Sequence, residues 1–139
     1  MSLRRYPDMV ISKADHRRGA VNKRVFSLER ANRSLPLVRR IVEDIQEASG
    51  KVADYQEEFE RLAEQGNLEQ ANQAMLCLSK ARQEYRRFCR ELGQLGCCLS
   101  DEWAGAVDFP AVVGGRWVEL CWRLGETEIS RWQYPGCQA

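Results

Sequence analysis

The chain has 139 residues, a size usual for one domain. Its 44% hydrophobic and 29% charged content excludes both a disordered and a membrane-embedded protein. The longest apolar runs are a few residues, far short of the ~20 that span a bilayer. The first residues offer only Met9-Val10-Ile11 where a secretory signal needs roughly 7–15 apolar residues, so a cytoplasmic protein without membrane partners is expected. The net charge is +1, but residues 1–25 hold seven basic groups against Asp8 and Asp15, leaving the remainder net acidic.

Residues 1–22 lack a clear period and read as a flexible basic leader ahead of a single domain over 23–139. Val21 to Phe26 alternates enough for a short strand. Ser27 is suited to cap a helix, with Glu29 near its positive end. Pro36 lacks a backbone donor, so Leu28–Ser34 is expected to form a short helical turn before a kink or restart.

From Val38 the pattern becomes regular. Val38, Ile41, Ile45, Ala48, Val52, Tyr55, Phe59 and Leu62 recur in alternating steps of three and four, a heptad seam. Gly66 suits a left-handed terminator and Asn67 the next N-cap. A second seam follows through Ala71, Ala74, Leu78, Ala81, Tyr85, Phe88, Leu92 and Leu95, ended by Gly96. Two helices over 36–66 and 67–95, joined by a tight turn, must run antiparallel, each roughly 40 Å long.

Beyond Gly96 the period changes to two, and 97–134 reads as a β-rich unit. Cys97-Cys98-Leu99 is a strand candidate, and Val107–Val113 an extended segment interrupted by Pro110. Gly114-Gly115 signals a two-residue hairpin. Arg116–Trp122 would turn Val118, Leu120 and Trp122 to one face and Trp117, Glu119 and Cys121 to the other. Leu124–Thr127 reads as a turn and Glu128–Trp132 as the last strand. The four tryptophans, at 103, 117, 122 and 132, are expected mainly in the core of this unit. The fold class is therefore α+β, predominantly helical: a long antiparallel hairpin, like a coiled coil, with a small antiparallel β unit at its open end.

Six cysteines occur without a CxxC pair, and His16 is the only histidine, so reduced thiols serving as apolar filler are expected and zinc is not. No cofactor is predicted. A hairpin of this length outreaches the β unit, whose strands are typically only ~17–20 Å long. Leu68, Met75, Leu76, Cys77 and Cys89 lie beside the second seam and are candidates for a face that pairs two hairpins into a four-helix homodimer. Arg30, Arg33, Arg39, Arg40, Arg86, Arg87 and Arg90 gather at the open end, while Glu57, Glu58, Glu60, Glu64 and Glu69 gather at the tip. The basic end could attract nucleic acid or another polyanion. A solvated face balanced by charged neighbours along the helix, such as Glu84 and Glu91, is the favoured reading.

Three stretches resemble one family. They are Phe26-Ser27-Leu28-Glu29-Arg30-Ala31-Asn32 with Leu35-Pro36; Val107-Asp108-Phe109-Pro110; and Leu120-Cys121-Trp122-Arg123-Leu124-Gly125-Glu126 with Ile129 and Trp132. Together they are similar to the "domain of unknown function 2203" family of bacteria and archaea, over about residues 24–133 and in the same order. The resemblance implies no established activity. Arg30 stands where that family commonly has an acidic residue. Gln133 stands where it usually has His before a tail containing Gly and Arg, which weighs against catalysis.

Glu29, Asn32, Asp108, Glu119, Arg123 and Glu126 are the polar members in or beside these motifs. Their oxygens could hold a divalent metal or supply acid and base groups. They could equally cap, turn and satisfy backbone donors, and that reading is favoured. The sequence leans toward a non-enzymatic interaction or scaffold module, a homodimer that engages an unknown protein partner. A small-ligand or metal-binding protein, hydrolytic in one version, is the alternative, with its site where the first helix meets the β unit. Weak polyanion binding at the basic end is the third.

Overall fold

The computed structural model describes residues 25–135, so the leader and most of the Val21–Phe26 segment lie outside the described residues. Two helices, α1 (Leu28–Glu64) and α2 (Leu68–Leu95), are followed by four strands: β1 (Cys98–Asp101), β2 (Ala106–Val113), β3 (Arg116–Arg123) and β4 (Arg131–Gln133). The protein is α+β and predominantly helical, a helical hairpin with an antiparallel sheet ordered β1-β2-β3-β4.

Local chemistry sets the helix ends. The Ser27 hydroxyl accepts from Arg30 N at 3.0 Å, satisfying one orphan donor of the first turn. Asn67 Oδ1 does the same for Gln70 N in α2. Gly66, at φ 77°, and Gly96, at φ 104°, supply the left-handed residues that end the helices.

One expectation fails at Pro36. The helix does not restart there; α1 is continuous for 37 residues, about 55 Å at 1.5 Å per residue. Pro36 is exposed, while Ala31, Leu35, Val38, Ile41 and Val42 are buried in the main core on either side of it. That burial holds the helical path against the loss of one backbone bond. As a result α1 exceeds the 28-residue α2 by about two and a half turns, and its first turns pack into the core shared with the sheet.

The sheet is a simple meander. Gly114 and Gly115, both at positive φ, connect β2 to β3, and Val113 pairs with Arg116 across the turn. Pro110 does not interrupt β2, which pairs with β3 along its full length. Its carbonyl accepts from Phe26 N at 2.8 Å, on the side of β2 away from β3. The missing N–H therefore points away from the β2–β3 ladder, where proline is tolerated. The last strand is shorter than expected: β4 holds only residues 131–133, and Glu128–Ser130 belong to the connecting loop.

Val107, Phe109, Ala111, Val118, Leu120 and Trp122 form the inner face and merge with the base of the hairpin into one core, reaching Ile45 on α1 and Leu92 on α2. Of the tryptophans, only Trp122 is buried. Trp117 is half-buried, Trp132 is exposed, and Trp103 is 93% exposed on the β1–β2 turn. The distal half of the hairpin lies outside that core; it buries Ala48, Leu78 and Ala81 along the seam and a small cluster of Leu62, Ala71 and Ala74, with Phe59 beside it. No helix among the described residues is long and apolar enough to cross a membrane.

Candidate functional site

The polar motif residues fall in three places. On α1, Glu29 is exposed in the first turn. Asn32, one turn further, accepts from Ile129 N at 2.8 Å through Oδ1 and so ties the β3–β4 loop to the helix. Within that loop, Glu126 Oε1 accepts from Arg123 N at 2.9 Å and from Arg131 Nη2 at 3.2 Å, while its carbonyl accepts from the Trp122 indole at 2.9 Å. Asp108 and Glu119 lie on the opposite face of the sheet, turned away from the helices.

On that outer face the register sets Cys98, Asp108, Cys121 and Arg131 side by side across all four strands. Burial raises the Asp108 pKa, opposed by a hydrogen bond from the Cys121 thiol and by the charge of Arg131. Burial, with the neighbouring Asp108 carboxylate, pushes the Cys121 thiol up to about 12. A thiol held so high stays protonated at neutral pH and is a poor nucleophile. Arg131 thus stands between Asp108 and Glu126. Arg123 and Glu126 meet directly, but Glu29 and Asn32 do not join the carboxylates of the outer face. No group of three or more His, Cys, Asp or Glu among the described residues is arranged to hold a metal.

Sequence reasoning missed Arg131 and Cys121 as neighbours of Asp108. The Gly-Gly turn alone would have placed Cys121 opposite Asp108, because a two-residue hairpin sets the register. Arg131 follows a longer loop and carries no such signal.

A second polar cluster fastens the β1–β2 turn to the helices. Gln46 Nε2 donates to the carbonyls of Glu102 at 3.0 Å and Trp103 at 3.2 Å, and the Tyr85 hydroxyl donates to Glu102 Oε1 at 2.5 Å. That bond, with burial, raises the Tyr85 pKa. Gly105, at φ 68°, lies so close to Leu124 that an added Cβ would meet its Cβ at 2.8 Å. The turn is therefore pinned from two sides while it presents the Trp103 ring to solvent.

Among the described residues the arginines of the base form no ion pairs. Three ion pairs are seen among the described residues, Glu47–Lys51, Glu58–Arg61 and Glu126–Arg131, and none involves the seven arginines of the basic patch. Arg39 lies 6.0 Å from the Trp122 ring centroid, Arg30 packs over Phe26 and Arg87 over Phe88. Arg33, Arg40, Arg86 and Arg90 are exposed. Arg86 and Arg90 form no ion pair with Glu84 or Glu91 among the described residues.

Nor do the five apolar candidates of α2 share one face. Met75, Leu76 and Cys77 are consecutive and turn by ~100° each. Cys77 borders a groove between the helices with Tyr55, Leu62 and Ala74, and Cys89 is half-buried against the main core. Leu68, Met75 and Leu76 remain exposed on the outer side.

The fold defines a class, α+β proteins in which a helical hairpin carries a small antiparallel sheet at its open end. Within it, the family model "Uncharacterized conserved protein (DUF2203)" matches residues 24–136, and the chain belongs to that family. Comparison with curated proteins and with solved structures finds no match.

Proposed function

We propose that the chain is a cytoplasmic, non-enzymatic interaction module that forms a homodimer through its hairpin and uses the β unit to meet another protein. One observation carries the reading. The distal half of the hairpin extends past the core that the sheet covers, yet α2 keeps Leu68, Met75 and Leu76 exposed there, Leu68 at 67% and Leu76 at 71%. A solvated helix face has no need of three large apolar groups within three turns, whereas a helix-pairing face does. Trp103 is the natural anchor for a second protein, since tryptophan is favoured at interface hot spots and the backbone of its turn is already tied to the helices through Gln46.

Light scattering on the full chain at tens of micromolar tests this. Twice the chain mass is expected, and a monomer across that range overturns the proposal. A second reading, polyanion binding at the base, draws on the exposed arginines, which form no ion pairs among the described residues. It predicts retention on heparin that falls steeply with salt.

A further inference from the structure

The outer face of α2 changes character along its length. Steps of four and three residues carry one stripe from Leu68 through Asn72, Met75, Ser79 and Gln83 to Arg86 and Arg90, drifting only about 40° in six turns. Every one of these residues is exposed. The stripe is apolar at the tip, with Leu76 beside Met75 and the acidic Glu69 beside Leu68. It is net basic at the base, where Arg86 and Arg90 border an open groove of about 500 Å³ with Lys80, Arg87, Gln83 and a single carboxylate, Glu84. Neither Glu69 nor Arg86 nor Arg90 has an ion-pair partner among the described residues.

We infer that a second copy of this chain occupies the stripe, packed antiparallel about a two-fold axis near Ser79, with the acidic tip of each copy seated against the basic groove of the other. The inference rests on the dimer proposed above and gives it a direction. A two-fold contact is self-complementary, so a residue above the axis meets its counterpart from below. Leu68 then faces Arg90, whose methylene stem covers the leucine while its charge reaches Glu69. Asn72 faces Arg86, and on either side of the axis Met75 and Leu76 lie against Gln83 and Arg82, whose stems cover them. A parallel pairing would instead stack Arg86 on Arg86 and Arg90 on Arg90, an arrangement that like-charge repulsion disfavours.

The test uses two variants of the full chain, each altered only at exposed positions: Glu69→Arg, and the double variant Arg86→Glu with Arg90→Glu. Circular dichroism melts confirm that both fold, and sedimentation velocity reads the assembly at low and high salt. Each variant alone faces like charges across both halves of the contact, so its dimer dissociation constant should rise about tenfold or more. Mixed, the two satisfy both halves at once, and a one-to-one heterodimer should return to near the parent affinity. Variants that dimerise as tightly as the parent overturn the antiparallel pairing while leaving self-association standing. A mixture that stays monomeric while the parent dimerises also overturns it. A parent chain that is itself monomeric removes the dimer and this geometry together.

Discussion

The two ends of the hairpin are built by the same heptad rule and held by different means. At the base, α1 and α2 share a core of sixteen buried residues with the sheet, including Trp122, Phe109 and Val107 with no exposed surface. At the tip, the two helices have only each other, and the buried cluster shrinks to Leu62, Ala71 and Ala74. Hydrophobic stabilisation follows the apolar area removed from water, so the base carries most of it and the tip depends on connection to the base. A seam read from sequence states which residues face the partner helix. It does not state what lies behind that helix.

The largest test of the contrast is a pair of truncations. Trp122→Ala should cost about 3–5 kcal/mol and unfold the domain as a whole. Leu62→Ala should cost about 2 kcal/mol, because its small alanine neighbours let the site collapse. Denaturant titration measures both, and equal losses would erase the distinction. Hydrogen exchange should separate the ends further, with tip amides opening at lower free energy than those of β2 and β3.

Asn32→Ala comes next. It leaves the Ile129 N–H without the acceptor found at 2.8 Å and should lower stability by about 1–2 kcal/mol. Asn32→Asp retains an acceptor and should recover much of that loss. If Asn32→Ala melts like the parent, the loop does not depend on this bond.

The smallest effect is electrostatic and favourable. Burial raises the Asp108 pKa, so below its ordinary value folded and unfolded chains are both protonated and no penalty exists. As pH rises through the window above that value the unfolded chain releases its proton first, and the folded state loses stability until Asp108 also ionises. Asp108→Asn should therefore raise the melting temperature at pH 7, with the gain shrinking as pH falls toward 4. A gain independent of pH would reject burial as its cause.

Periodicity made much of this architecture legible. Both seams, the Gly66-Asn67 turn and the Gly114-Gly115 hairpin follow from spacing and backbone chemistry that neighbouring residues carry themselves. Val42, buried off the seam, did not stand out because the surface that covers it comes from a sheet far along the chain, and Ala31, in phase seven residues before Val38, was set apart from the seam by Pro36. The same separation hid the candidate site. Asn32 meets Ile129 across 97 residues, and Gln46 meets Glu102 across 56, so no local pattern announces either bond. Trp103 misled for a related reason: composition marks an indole as core, and only the folded turn reveals that it is held outward.

The sheet's margins bear on what kind of assembly this chain can form. β1 has four residues and a break in register between Leu99 and Asp101, and β4 has three. Short or bulged borders offer a neighbouring molecule too few unpaired backbone groups to extend the ladder, so growth by strand addition into fibres is disfavoured. At high concentration such a protein should cluster through side chains, as closed and reversible species, and remain free of thioflavin-reactive aggregates.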